Sequence, residues 1–314
     1  MEENIEDKAG ETENTAAPEL AAEQQLGLSD EFIRDVTLLL EEDDTAAIRE
    51  KCAALSAPDA AELLTKVGPL RHRLADILED DLAPESFSYL SYEILNDLFG
   101  NMSGPHIAAI VNELESDDAI HLIDELDETR RSEIMRHLSR RVRAVVEEGL
   151  NFPEESAGRL MQREFVAIPQ FWTVGKTADY LRAASESLPD KFYDIFIVDP
   201  MHKYIGAVAL SDVLCTQRSV KMESIVDENH VKIPVEMDQE EVARTMSNYG
   251  FLAVPVVKGT RMVGVITVDD AIEVLEDEAS EDMMKFGGIS GAEPGMQDLN
   301  VGVMKSAMGR IPWL

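Results

Sequence analysis

The chain has 314 residues, room for roughly two domains, and carries 62 acidic against 28 basic side chains for a formal charge of -34. That excess excludes a nucleic-acid partner, because phosphate backbones are gripped by clustered Lys and Arg, and it argues against charge-driven docking on anionic lipid. A compact fold this acidic repels itself unless cations screen or bridge the carboxylates. Cys52 and Cys215, both in apolar helical contexts, read as buried thiols, with no disulfide framework and no zinc spacing.

Residues 1–27 are rich in Glu, Ala, Thr and Asn, lack the basic start and apolar core of a secretory leader, and are expected to form a disordered acidic tail. No run of about 18 apolar residues occurs, so no membrane-spanning helix is expected and the chain as it stands should be soluble. Over 28–150, apolar residues recur at spacings of three and four, as in Phe32, Val36, Leu39, Leu40 and in Leu90, Ile94, Leu95, Leu98. This periodicity predicts helices throughout. The start signals Ser56-Ala-Pro-Asp59, Ala83-Pro-Glu85, Ser103-Gly-Pro-His106, Ser116-Asp-Asp118 and Asp127-Glu-Thr129 cut the region into short helices, consistent with a stacked superhelix. Asn151-Phe-Pro-Glu-Glu155 reads as a linker.

Two copies of one unit follow, within 151–218 and 219–275. Each opens on Val-x-Ile-Pro (Val166 to Pro169; Val231 to Pro234) and runs into an amphipathic helix, Thr177 to Ala184 or Glu240 to Ser247. Each then returns as an apolar strand (Ile195 to Val198; Ala253 to Val257) and a glycine-led strand, Gly206 to Asp212 or Gly264 to Asp270. The expected fold is α+β: an all-α superhelix followed by tandem β-α-β-β-α repeats that bury their faces against each other. No nucleophile or general base stands at matched places, so a sensor module is expected rather than an enzyme.

The end of the second copy passes into an unusually acidic helix bearing Asp269, Asp270, Glu273, Glu276, Asp277, Glu278, Glu281 and Asp282, with Ile272, Leu275, Ala279 and Met283 as its apolar stripe. Few Lys or Arg stand near Glu278, Glu281 and Asp282, which gives cation binding weight over an ordinary solvated face. Gly287-Gly288 is expected to end the helix. The segment 276–314 closes on Arg310-Ile-Pro-Trp-Leu314, which looks like the interfacial approach to a transmembrane helix. The six histidines show no metal spacing.

Several stretches resemble the cytosolic region of MgtE-type magnesium transporters and channels. Glu155-Ser-Ala-Gly-Arg-Leu-Met161 resembles that family's join between its helical N domain and the first of two cystathionine β-synthase (CBS) repeats. Asp238-Gln-Glu-Glu-Val-Ala-Arg244 resembles the opening of the second repeat's helix. Thr267-Val-Asp-Asp270 through Glu278-Ala-Ser-Glu-Asp282 resembles its passage into the connecting plug helix. The resemblance implies a homodimeric Mg²⁺ sensor attached to a transmembrane pore domain, on the cytoplasmic side of the bacterial inner membrane. High Mg²⁺ would draw N domain, CBS pair and plug helix together and close the pore.

The resemblance implies metal ligands at Asp117 facing Asp270, at Glu85, at Asp238 and Glu240, and at Glu278, Glu281 and Asp282. Asp117 with Asp118, and Asp269 with Asp270, also have an ordinary role at helix starts. One position departs from the family: Gly250 stands where an acidic residue is expected before Phe251, which bears on the site on the Glu85 side. Some members hold ATP between the repeats, which implicates Tyr193, Asp212 and Phe251, although the Arg that often precedes the Asp is Ser211 here. Two other readings are a nucleotide-sensing CBS protein acting on another partner, and an interaction scaffold.

Overall fold

The computed structural model describes residues 27–189 and 191–286. The expected tail, the Gly287-Gly288 stop and the Trp-Leu approach lie outside the described residues, as does the side chain of Asp282. The first part is all helix: α1 (Asp30–Glu42), α2 (Thr45–Cys52), α3 (Ala57–Lys66), α4 (Arg71–Ile77), α5 (Tyr92–Asn101), α6 (Gly104–Glu113), α7 (Ser116–Asp124), α8 (Glu128–His137) and α9 (Arg140–Gly149). Most starts follow local chemistry. The side chains of Ser29, Asp44, Ser56, Ser103, Asp127 and Ser139 each accept a first-turn N–H that would otherwise lack a partner. Two signals give something else. Ala83-Pro-Glu85 starts only a 3-10 turn, Pro84–Phe87. In Ser116-Asp-Asp118 the cap position falls to Glu115, and Ser116 is already in the first helical turn and buried.

The helix ends share a second device. Arg130 of α8 donates to the carbonyls of Phe99 and Met102, Arg131 to those of Ile123, Asp124 and Leu126, and Arg143 of α9 to those of Arg136 and Leu138. Each guanidinium satisfies orphan carbonyls where an earlier helix stops, α5 for Arg130, α7 for Arg131 and α8 for Arg143, and its positive charge suits a helix C-terminus. One core runs beneath these helices, filled by Leu40, Leu63, Leu74, Phe99, Ile107 and Ile123, all essentially inaccessible to solvent.

After the short helix α10 (Ala157–Leu160), the two copies build matching units. The first comprises β1 (Ala167–Pro169), α11 (Val174–Ala183), β2 (Asp194–Val198), β3 (Tyr204–Ala209) and α12 (Leu210–Cys215). The second comprises β4 (Ile233–Pro234), α13 (Gln239–Tyr249), β5 (Ala253–Lys258), β6 (Arg261–Thr267) and α14 (Val268–Phe286). In each sheet the first strand runs parallel to the second and the third antiparallel to it, and both carry a register shift at the same place, Ile197/Val198 and Val256/Val257. The fold is therefore α+β, as the sequence predicts. α11 opens three residues before the expected Thr177 because Thr173 caps it.

The sheets meet through Phe196, Tyr204 and Ala207 of one unit and Ala253, Val257, Met262 and Val265 of the other. Gly264 lets residues 161–162 pass close over β6: a β-carbon there would lie 2.8 Å from the carbonyl oxygen of Gln162 and 2.6 Å from Met161 Sδ. Cys215 corrects an expectation. Cys52 is buried, and burial raises its thiol to about 11, but Cys215 is exposed. The six-residue α12 buries one face through Val213, which turns Leu214 and Cys215 to solvent. Among the described residues no helix is long and apolar enough to cross a membrane.

Gly264→Ala is expected to lower stability by about 1–3 kcal/mol, since the new methyl meets backbone that cannot rotate away. Thermal denaturation checks this, and an unchanged midpoint would mean that the 161–162 segment yields freely.

Candidate metal centre

Three elements converge where the helical domain meets the second unit. α7 brings Glu115, Asp117 and Asp118; α14 brings Asp269, Asp270, Glu273 and Asp277; the 3-10 turn at Pro84–Phe87 brings Glu85. Local chemistry explains the α14 side. Thr267 stands at the cap and Asp270 three residues on, and Asp270 Oδ2 accepts from Thr267 N (3.1 Å) and Oγ1 (2.6 Å), a capping-box arrangement. Among the described residues Asp270 Oδ1 takes no hydrogen bond. Asp270 thus caps its helix with one oxygen and leaves the other free of hydrogen bonds among the described residues. In the first unit Ala209 occupies the place of Thr267, so Asp212, though matched in position, has no such hydroxyl.

Ion pairs anchor the junction. Arg159 Nη1 lies 2.9 Å from Asp124 Oδ2 while its Nη2 donates to the carbonyls of Leu150 and Phe152, and Arg163 Nη1 lies 2.9 Å from Glu148 Oε2. Each of these two guanidiniums already has an anionic partner. Among the described residues no Lys or Arg pairs with Asp117, Asp118, Asp269, Asp270, Glu273 or Asp277.

The consequence is electrostatic. Burial, then the charges of Asp270 and Asp118, hold Asp117 well above the usual carboxylate range. Burial pushes Asp270 up to about 6, against the opposing Thr267 hydrogen bonds and with help from Asp269 and Asp118. Glu115 keeps much of its surface in water, yet desolvation of its carboxyl and the neighbouring Glu164 push it to about 7. Burial also raises Asp118, Glu273 and Asp277; His121 draws all three the other way, after the Ser88 hydroxyl in the case of Asp118. A cluster of this kind must hold protons or recruit a cation.

Its donors are carboxylate oxygens, which suit a hard divalent ion that keeps several waters and needs one or two carboxylates. Among the described residues no group of three or more His, Cys, Asp or Glu is placed to hold a metal ion.

The structure brings Asp117 and Asp270 together and sets Glu85 beside Asp118. Glu278 is half-buried and Glu281 exposed, farther along α14, with Glu281 acting on Asp277. Asp238 and Glu240 stand apart from this group. Asp238 caps α13 by accepting from Glu240 N and Glu241 N, and Glu240 is paired with Arg244. The sequence reading gave Asp118 and Asp269 only an ordinary role at helix starts and Glu273 and Asp277 only a place on the acidic helix, and it omitted Glu115 and Glu164. The spacing of Asp270, Glu273 and Asp277 on one helical face signals Glu273 and Asp277, whereas nothing local marks Glu164.

A second site lies between the units. A cavity of about 560 Å³ is lined by Tyr193, Asp194, Leu210, Ser211, His230 and Phe251, among others. Asp212 follows Ser211 in the first turn of α12 and is not part of the lining. His230 Nδ1 stands 3.0 Å from Tyr204 Oη, and its ring lies 5.3 Å from that of Phe251. Gly250 also lines this cavity, ending α13 in the left-handed conformation at φ 69°, a geometry that explains glycine at the position where the family resemblance expects an acid.

A helical superhelix docked on paired three-stranded units with a shared cleft defines a CBS-pair regulatory protein. The MgtE intracellular N domain family matches residues 55–155 and the CBS domain family residues 222–277. The magnesium transporter MgtE of Thermus thermophilus is 31% identical over 280 residues, which cover 88% of this chain and 62% of that protein. The Bacillus subtilis magnesium transporter MgtE is 27% identical over 289 residues, covering 91% and 62%. A crystal structure of the soluble part of a magnesium transporter matches with a TM-score of 0.70 and 26% identity, over 79% of this chain and 98% of that one. The cytosolic domain of the Mg²⁺ channel MgtE in complex with ATP matches with a TM-score of 0.71 and 28% identity, over 77% and 99%. The chain thus carries an MgtE intracellular N domain and a CBS domain and is similar over most of its length to the cytosolic part of MgtE proteins; it spans 62% of the length of these two curated relatives.

The raised carboxylates fix a sign for pH. A carboxylate whose folded-state pKa is raised contributes stability that is fully present below its ordinary range near 4 and is lost as pH rises through about 6 to 7. In divalent-free buffer the melting temperature is expected to fall between about pH 5 and pH 8, and Asp270→Asn to flatten that slope. Calorimetry of the two proteins checks it; parallel slopes would place the pH dependence elsewhere.

Proposed function

We propose that this chain is the Mg²⁺-sensing regulatory region of a magnesium transporter or channel, working as a homodimer on the cytoplasmic side of the bacterial inner membrane. Its partner is the transmembrane pore domain of the full-length protein, and the region itself performs no catalysis. The observation that carries this reading is the facing pair Asp117 and Asp270. They come from different domains, each is driven above its ordinary range by burial, Asp270 adds to the shift of Asp117, and neither pairs with Lys or Arg among the described residues. A hydrated Mg²⁺ between them supplies the missing charge, with Asp118, Asp269 and Glu85 in its wider field. Glu278, Glu281 and Asp282 extend carboxylates along α14 for further ions, while Asp238 and Glu240 remain candidates only if their cap and ion pair give way.

At low Mg²⁺ the carboxylates repel and the helical domain separates from α14; at high Mg²⁺ the docked state binds the ion better and accumulates. Only differential affinity for two arrangements is required. Scattering of the chain, titrated with MgCl₂ to about 20 mM at fixed ionic strength, is expected to give a falling radius of gyration at constant mass, a range suited to weak, partly hydrated sites. KCl alone is expected to leave the radius unchanged. Asp117→Ala or Asp270→Ala is expected to raise the midpoint at least about tenfold, a loss of about 1.4 kcal/mol. Compaction by KCl, or a flat curve with MgCl₂, would remove the sensor reading.

The cleft supports a second ligand. Its aromatic Tyr193 and Phe251 suit an adenine ring, His230 offers a ring nitrogen, and a similar cytosolic domain has been crystallised with ATP. Ser211 offers no guanidinium to a phosphate, so affinity is expected to rest on the base. Calorimetric titration with ATP should therefore lose most of its signal in Phe251→Ala and little in Asp212→Ala. The reverse order would relocate the ligand.

A further inference from the structure

Helix α7 carries Asp117 and Asp118 at its start, yet its own cap residue makes no side-chain capping bond. The missing acceptor comes from beyond the helical domain. Glu164 Oε2 accepts from Ser116 N (3.2 Å), Ser116 Oγ (2.7 Å) and Arg163 N (3.1 Å), and Ser116 Oγ accepts in turn from Arg163 N (2.7 Å). Ser116 is 6% exposed, so water competes poorly for these bonds. Two residues before Glu164, Gln162 exchanges both backbone hydrogen bonds with Val265 of β6 at 2.9 Å. β6 ends at Thr267, whose N–H and hydroxyl hold Asp270. An unbroken series of bonds therefore runs from Ser116, beside Asp117, to Asp270, and no metal ion takes part in it.

We infer that Glu164 is a positioning residue for the carboxylate pair. In the docked state it caps α7 from the neighbouring domain with bonds that need no cation, and so lowers the Mg²⁺ concentration at which that state prevails. A carboxylate suits this place because a helix N-terminus favours negative charge. Its cost is one more charge beside Glu115. The inference rests on the cation-bridging reading, and two measurements keep them apart.

The first is made at the Mg²⁺ midpoint of the parent. Spin labels on Thr129→Cys and Ile272→Cys, both exposed sites, in a Cys215→Ser background, report the separation of helical domain and α14 by pulsed electron resonance. The parent and Glu164→Gln, which keeps the acceptor oxygen, are expected to show about half of the population at the short docked distance, and Glu164→Ala a clearly smaller share. The second is the Mg²⁺ midpoint for compaction. Glu164→Ala is expected to raise it about fivefold, the size of one lost cap, and Glu164→Gln to leave it within about twofold of the parent. A general loss of structure would instead change the far-ultraviolet dichroism, and Ser116→Ala supplies a milder break of the same bonds. An unchanged docked share in Glu164→Ala, or a midpoint that Glu164→Gln raises as far as Glu164→Ala does, overturns the inference even where Mg²⁺ compacts the parent. A parent indifferent to Mg²⁺ removes the cation reading whatever Glu164 does.

Discussion

Like charges gathered at a junction between two folded parts are the constraint on which the rest depends. α7 and α14 both start with acids, which is favourable for each helix separately because its first N–H groups carry partial positive charge. Brought face to face, the same residues oppose one another with their solvation partly removed, and Asp117 and Asp270 answer by holding protons more tightly. The local arginines cannot relieve this, because Arg131, Arg159 and Arg163 are bound to helix-end carbonyls, Asp124 and Glu148. What stabilises each helix alone makes their contact conditional on something from solution.

The remainder of the architecture keeps that contact from spreading its strain. The arginine clamps tie α8 to the ends of α5 and α7 and α9 to the end of α8, which joins these helices into one body. The two sheets are held to each other by aromatic and branched side chains and by the close passage of residues 161–162 over Gly264. Rigid bodies on either side of a charged seam give a response with few intermediate positions, the condition for a switch.

Much of this was legible in the sequence because it is local. Ser56, Ser103 and Asp127 cap the helices they are expected to cap, and the strand order follows from two copies of one pattern. Thr267-x-x-Asp270 places its carboxylate by a rule that spans four residues. What escaped is tertiary: Glu164 reaches 48 residues along the chain to Ser116, and Asp194 and His230 meet Phe251 only after the sheets pair. Ser116 looks like a cap and is not one, because the acceptor that completes its helix comes from elsewhere. Cys215 looks buried because its neighbours are apolar, but a helix of six residues has only one inward face.

α14 begins in the second sheet's last strand without an intervening loop and continues for 19 residues to Phe286. At 1.5 Å per residue that is a rod about 28 Å long. Its first turns hold Asp269, Asp270 and Glu273, so whatever tilts this end is multiplied at the other. A change of about 10° at the carboxylates sweeps the far end through about 5 Å, roughly the pitch of one helical turn. In mechanical language the helix is a lever with its fulcrum in the sheet, and a sub-ångström adjustment at those carboxylates is geared up to a displacement large enough to move a neighbouring helix.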